Sequence, residues 1–482
     1  MEKVLIIGAG LTGLSAGIAL QKKGINTEIF EMAPWPGGVC TAWVRNGYTF
    51  DGCIHWMVGT REGELMRKMY EEVHALREDS IIYHLDSITL EIDNETYVIP
   101  LDVVGFKDFF LDFAPEDSIE IVAFCKEVEK ISKSKLIPGS PQNIKEFFYA
   151  ITKGRNFLRT VVKYVDITVS EYCERFSNKE LVKIIYHLMG PSMSVFALFM
   201  MLGTRMGKNG GFPMGGALTM IKNMHEYYLS LGGKTSFNTK IDEIVIENGR
   251  AKAIKSNEKE YLGSYVIVAC DIHYTLKNML KDKYPHPVLN LMLEEMPLFE
   301  PLMLISLGLD KKYPIPYSAI CSMTKPIDTG GMNKTSQYQI RTFDFDSSFA
   351  PKGCSSVLVT LSANFNYWQN LRETDYQTYK NEKELVAKKI IDELETRYKG
   401  IKESVKVKDI ATPSTYFRLN NLYMGSYEGF LPVPKALKMK IKKQIIGVKN
   451  LYLAGQWITP GGGIPPAILD GLRTAKTIIK KY

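Results

Sequence analysis

Gly8, Gly10 and Gly13, in the run "VLIIGAGLTGLSAGIAL", have the spacing of a turn that receives a phosphate-bearing ligand. Gly8 permits a tight turn, Gly10 lets backbone approach a pyrophosphate, and Gly13 lets a helix pack closely on the strand before it. That helix, starting near Leu11, directs its first amides, at Leu11 and Thr12, toward the phosphates. The next strand, "NTEIF", leads into Glu31. A carboxylate there accepts hydrogen bonds from a ribose 2′-hydroxyl and repels a 2′-phosphate. The chemistry expected is dinucleotide binding, of FAD or NAD rather than NADP. A packing turn without a ligand is the alternative.

The other end of the chain carries a second unusual stretch, "GQWITPGGGIPP", over Gly455–Pro466. It lies between an apolar strand and a final helix. Consecutive glycines remove side chains, so a flat ring can lie against backbone. Pro465 and Pro466 suit the first helical turn, where missing amides cost little. The positive end of the helix dipole would stabilise negative charge on the N1/O2 edge of a reduced flavin. Gly455, Gln456, Gly463 and Ile464 are the expected contacts, against the alternative of a structural linker.

After Glu31 comes "MAPWPGGVCTAWVRNGYTFDGCIHW". With its PGG loop and aromatic-Phe-Asp-x-Gly segment, the chain resembles the FAD-dependent amine oxidase superfamily, in its phytoene desaturase and carotenoid isomerase branch. Glu31, Gly37, Gly38, Tyr48, Phe50 and Asp51 carry the match. The resemblance implies that the cofactor is FAD and that Gly37, Gly38 and Val39 border it. Val39 stands where many relatives have a basic residue, so a pyrophosphate contact from that side chain is not expected. The resemblance also implies that backbone near Ile241 meets adenine and that the terminal loop holds ribityl and isoalloxazine. Gln456 replaces an aspartate common among relatives.

The implied activity is that of an FAD-dependent enzyme desaturating, saturating or isomerising an apolar, carotenoid- or retinoid-like polyene. Three other readings stay open: a flavin amine oxidase, an oxidoreductase for a small lipid or ketone, and a flavin-binding protein without turnover. No second strand–GxGxxG–helix unit is present, so the external electron partner is expected to be a quinone, oxygen or a redox protein. His55, just after the Phe-Asp-x-Gly segment, is a candidate proton shuttle or a structural histidine. Tyr427, in "GSYEG", borders the site by its place in the family's glycine–aromatic segment. The Met- and Phe-rich run Leu188–Gly203 either lines an apolar tunnel or is plain core. Lys153, Arg155, Arg159 and Lys163 lie among apolar residues, as a membrane-facing helix or as a solvated basic face.

These residues need a framework to position them. The expected fold is α/β, with a glutathione-reductase-like FAD-binding Rossmann unit built discontinuously from about residues 1–60, 207–280 and 445–482. About residues 61–105 and 281–444 form a substrate unit with a mixed sheet whose clearest strands read as antiparallel, and about 106–206 a helical lid that contacts membrane in one reading. Arg61–Asp79 reads as one amphipathic helix, and an Asp93–Asn94 turn joins two short strands. Pro115, Pro138–Pro141 and Pro191 break the helical stretch, and a long helix spans Tyr376–Tyr398. The net charge of +7 is spread along the chain, which does not suggest nucleic acid. Seven widely spaced cysteines without a CxxC pair argue against a disulfide framework, a metal site or a redox dithiol, and suit a cytoplasmic protein. The first residues do not read as a signal peptide, and peripheral membrane association remains compatible with the whole.

Overall fold

Every side chain from Val4 to Ile7 is apolar and at most 5% exposed, as a central parallel strand covered on both faces requires. At about 1.5–3 kcal/mol for each fully buried aliphatic side chain, this short run anchors its sheet. The structure is a computed structural model that describes residues 3–93, 95–141 and 144–482. In chain order the framework around the site is β1 (Lys3–Ile7), α1 (Leu11–Gln21), β2 (Asn26–Phe30), α2 (Val195–Met206), α3 (Gly216–Ser230), β3 (Lys234–Ser236), β4 (Tyr265–Val268), β5 (Leu451–Leu453) and α4 (Ile464–Ile479). The five strands pair in parallel in the order β3-β2-β1-β4-β5. Strands from the beginning, middle and end of the chain therefore share one sheet.

Glycine lets the chain's two terminal helices touch. A Cβ on Gly471 of α4 would lie 2.3 Å from the carbonyl oxygen of Thr12 on α1, and one on Gly13 would lie 1.9 Å from Gly8 O. The Thr12 hydroxyl donates to Ala467 O at 2.9 Å. Helix α1 is thus clamped between the turn that precedes it and the last helix.

A second sheet of seven strands runs in the order Val405–Ala411, Leu302–Leu309, Ser355–Ser362, Lys334–Thr342, Ser318–Asp328, Ser87–Ile92, Glu95–Pro100. The sheet is mixed: its other neighbours pair antiparallel, and Ser318–Asp328 pairs in parallel with Ser87–Ile92. Those two strands come from distant parts of the chain, so no short hairpin constrains their direction. Ser318–Asp328 and Val405–Ala411 are additions to the expected strands; the first contains Pro326 and shifts register between Ser322 and Ile327.

The long helix is present as Tyr376–Arg397. Arg61–Asp79 is not one helix: only Leu65–Glu72 is helical, and His74 follows at φ 58°. The buried Arg67 guanidinium donates to the carbonyls of Thr60, Arg77 and Glu78, folding the remainder back as a loop. Among the described residues, seven helices of more than four residues lie between Val103 and Met206, interrupted at Pro115, Pro138–Pro141 and Pro191. Of the expected Asp93–Asn94 turn, Asn94 lies outside the described residues.

Candidate functional site

One continuous cavity of about 850 Å³ runs from the first glycine turn to the wide sheet. Its walls include all the residues expected to bind cofactor except Gly13, which serves the α1 packing already described. The turn forms because Gly8 sits at φ 103°, where a Cβ would lie 2.6 Å from Ala269 O. At Gly10 an added Cβ would meet only Gly37 O, at 3.8 Å, so backbone opens onto the cavity. The first bond of α1 is donated by Leu14 to Gly10 O at 3.0 Å. The amides of Leu11, Thr12 and Gly13 consequently have no partner within the helix. The PGG loop closes over this turn through Gly37 N to Ala9 O at 2.9 Å, bringing Gly38 and Val39 to the wall.

Glu31 is only 5% exposed. Its two carboxylate oxygens accept from Ala9 N at 2.7 Å and Ala33 N at 2.9 Å, leaving lone pairs for hydroxyl donors in the cavity. Ile241 lies on the same wall.

At the far end of the cradle, Gly461, Gly462 and Gly463 all have positive φ. A Cβ on Gly462 would lie 2.5 Å from Glu428 O. Gly463 caps α4, and because Pro465 and Pro466 lack amides, Ile464 supplies the free N–H at this helix end. Asp470 fixes the start of the loop by accepting Gly455 N at 2.8 Å while it pairs with Lys443. The Gln456 amide donates to Tyr427 O at 3.1 Å, so its hydrogen bond ties the loop to the neighbouring segment. Open glycine backbone, helix-end amides and a buried carboxylate together fit FAD.

That neighbouring segment places Tyr427 and Glu428 on the cavity wall. Tyr427 packs against Phe299 at 5.4 Å, and burial, reinforced by Glu428, keeps its phenol protonated. Glu428 makes no ion pair or side-chain hydrogen bond with the described residues, and its Oε1 lies 3.4 Å from where a Gly463 Cβ would be. Burial pushes its carboxyl up to about 7. Sequence reasoning picked out Tyr427 and passed over Glu428, because nothing local marks a surface-type residue that long-range packing turns inward.

Asp51, fully buried, sets the opposite wall. It accepts Cys53 N and Ile54 N at 2.9 Å and Ala217 N at 2.7 Å, joining the hairpin loop to the start of α3. Arg341 donates to Ile54 O at 2.8 Å from the wide sheet. This shaped loop presents His55 and Trp56 to the cavity. Burial, then Arg341 and Arg205, holds His55 well below the usual imidazole range, so the ring is neutral.

The hairpin register pairs Ala42 with Asp51, which brings Cys40 and Cys53 opposite one another at its base. Spacing along the chain does not report this cross-strand proximity. Both thiols are free, and the Cys53 thiol together with burial holds Cys40 well above the usual thiol range.

Helix α2 satisfies both readings of its apolar run. Val195, Leu198, Phe199 and Leu202 are fully buried in core, while Phe196, Ala197, Met200 and Met201 face the cavity. Leu302 and Leu304, then Ser318 and Ile320, line the other side at the two-residue period of one sheet face. Arg205, one turn beyond Met201, also reaches this wall; it is a lone charge in an apolar stretch, which was its only signal in the sequence.

The flavin-containing amine oxidoreductase family matches residues 11–479. A phytoene desaturase (lycopene-forming) of Pseudescherichia vulneris is 24% identical, over 100% of this chain and 99% of its own. Prolycopene isomerase 1 of an Oncidium hybrid cultivar is also 24% identical, over 98% of this chain and 83% of its own. An oxidoreductase from Methanosarcina mazei shares the fold with a TM-score of 0.62 at 15% identity, covering 98% of this chain and 100% of that one. The chain belongs to the flavin-containing amine oxidoreductase family and is an FAD-dependent, phytoene desaturase-like oxidoreductase.

Proposed function

We propose that the protein desaturates, saturates or isomerises an apolar polyene of carotenoid or retinoid type. The observation that supports this most is the shape of the continuous cavity, in which a glycine-rich cofactor cradle opens directly into a trough between α2 and the wide sheet. An extended hydrocarbon chain gains little from polar contacts, and this trough offers it Met, Phe, Leu and Ile side chains. FAD, when bound, supplies the two-electron redox chemistry. The protein must then orient the chain, exclude water and move a proton. In this reading Glu428, beside the flavin-facing loop, holds or accepts that proton, and Tyr427 orients the chain as a neutral wall. His55 is neutral and flanked by guanidiniums, so taking up a proton is unfavourable there and its role is positioning.

A flavin amine oxidase is the second reading, favoured by the unpaired Glu428 carboxylate as a partner for an ammonium group. Anaerobic titration separates the two. A polyene such as all-trans-retinol or a hydrogenated carotenoid precursor is expected to bleach the bound flavin, and benzylamine or putrescine is not. Bleaching by the amines alone would overturn the polyene reading; bleaching by neither, together with a polyene that neither reoxidises the reduced flavin nor is isomerised by the protein, would remove both.

Substrate of this kind partitions into membranes. No helix among the described residues is long and apolar enough to cross a bilayer. However, the helix Ile144–Thr152 exposes Phe147, Phe148 and Ile151, and the adjoining Arg155–Tyr164 carries Arg155, Arg159 and Lys163. Phe157 of the second helix packs on cavity-lining Phe196, ring centroids 5.8 Å apart. This combination supports a peripheral docking face that leads substrate to the trough. The protein is expected to co-sediment with phosphatidylglycerol vesicles, and the F147S/F148S double variant to lose most of that binding; undiminished sedimentation would argue against this face.

A further inference from the structure

Two arginines approach the His55–Trp56 loop, and they differ in one respect. Arg341 is compensated: although its Nε is buried without an acceptor, its terminal nitrogens donate to Ile54 O and Asp51 O and the Asp51 carboxylate is close by. Arg205 has no hydrogen bond and no ion pair from its side chain to any described residue, and its Nε is sealed from solvent without an acceptor. Its guanidinium lies over the Trp56 ring, 4.2 Å from the centroid, and the Trp56 Nε1–H is also buried without an acceptor. Arg205 is near the C-terminal end of α2, where a cation is favoured. Yet the carbonyls available there are taken by other groups: Gly207 N bonds Gly203 O, Lys208 N bonds Arg205 O and Asn209 N bonds Thr204 O. The side chain that favours its charge is the phenol of Tyr317, whose hydroxyl donates to His55 O. No carboxylate among the described residues compensates this charge.

A half-buried guanidinium on the wall of an apolar cavity, without an anion, is poorly stabilised unless something supplies one. Both Arg205 and Trp56 line the main cavity, one helical turn from Met200 and Met201 in the apolar trough. We propose that this end of the trough is a subsite for the carboxylate of a long apolar acid, with Arg205 as its counter-ion. A single unmatched cation suits a monoanion, and the flat guanidinium can meet a carboxylate through two parallel N–H···O bonds. The inference rests on the polyene reading and narrows it: the substrate is an acid whose hydrocarbon chain extends from Arg205 toward the flavin cradle.

The test uses FAD-loaded protein and two matched pairs of ligands, all-trans-retinoic acid with all-trans-retinol and oleate with oleyl alcohol. Binding is read by rapid mixing, from the fast perturbation of the flavin visible absorption band that precedes any bleaching. Each acid is expected to bind about 10- to 100-fold more tightly than its alcohol, the range of a charge-assisted hydrogen bond. Arg205→Gln should abolish that preference while leaving the affinity for the alcohols nearly unchanged, and Arg205→Lys should restore part of it. Equal binding of acid and alcohol by the wild-type protein, or a preference that survives in Arg205→Gln, would overturn the subsite alone. Because the wild-type comparison needs no variant, it decides the matter even if Arg205→Gln fails to fold. An Arg205-dependent preference for oleate with no binding of either retinoid supports the subsite and overturns the polyene reading. Failure of all four ligands to bind overturns both.

Discussion

Replacing Glu31 by alanine is expected to raise the dissociation constant for FAD about 100-fold, close to 3 kcal/mol. The carboxylate does two jobs in the folded chain. It satisfies the amides of Ala9, in the glycine turn, and Ala33, just beyond β2, and it keeps acceptor capacity directed at the cavity. Alanine leaves both amides without a partner and removes the acceptor for a ribose hydroxyl. Glutamine retains one acceptor oxygen, so Glu31→Gln should lose less, about tenfold. Quenching of free FAD fluorescence by titrated apoprotein measures the affinity, and thermal denaturation of the apoproteins separates loss of ligand from loss of fold. An alanine variant that folds normally and binds FAD as tightly as the wild type would place the ribose elsewhere.

The second large effect is kinetic. With its carboxyl near 7, Glu428 changes charge in the neutral range, where a proton acceptor is most useful. The rate of flavin bleaching by a competent substrate should rise as pH passes through about 7 and then level off. Glu428→Gln should flatten that rise and slow bleaching by about 10²- to 10⁴-fold. A stability measurement provides an independent check. The folded value lies above the ordinary 4.5, so the folded chain keeps the proton longer than the unfolded one. The stabilisation linked to that proton is complete below about 4.5 and is lost as pH rises through about 7. In Glu428→Gln this part of the pH dependence disappears. A bleaching rate that keeps the wild-type pH profile in the variant would assign the proton transfer to another group.

Much of the cofactor cradle is legible in the amino-acid sequence. Gly8, Gly10 and Glu31 act through local geometry, a turn followed by a helix and then a strand, and local geometry is written in consecutive residues. The terminal GGG loop is readable for the same reason, since three glycines followed by two prolines admit few backbone courses. The wide sheet is less legible. Ser318–Asp328 hides its strand behind a proline and a register shift, and its parallel pairing with Ser87–Ile92 joins segments with no sequence neighbourhood. The helix expected over Arg61–Asp79 is cut short by a buried arginine that captures loop carbonyls, a competition that periodicity does not register.

The chemistry that distinguishes the site depends on tertiary structure throughout. "GSYEG" does not reveal that Glu428 is turned toward the Gly463 loop, and "LGTRMG" does not reveal that Arg205 lies on an indole, each without an ion-pair partner among the described residues. Nor does the spacing of Cys40 and Cys53 show that a hairpin sets them face to face. By itself, the sequence determined a glycine turn between a strand and a helix, an acidic residue after the next strand and a glycine-rich loop at the opposite end of the chain. Tertiary structure decided which charges are matched and which await a ligand. The reason is that a side chain's charge state and partners are set by neighbours distant in sequence, through burial and Coulomb interaction, whereas a glycine turn is set by the few residues that form it.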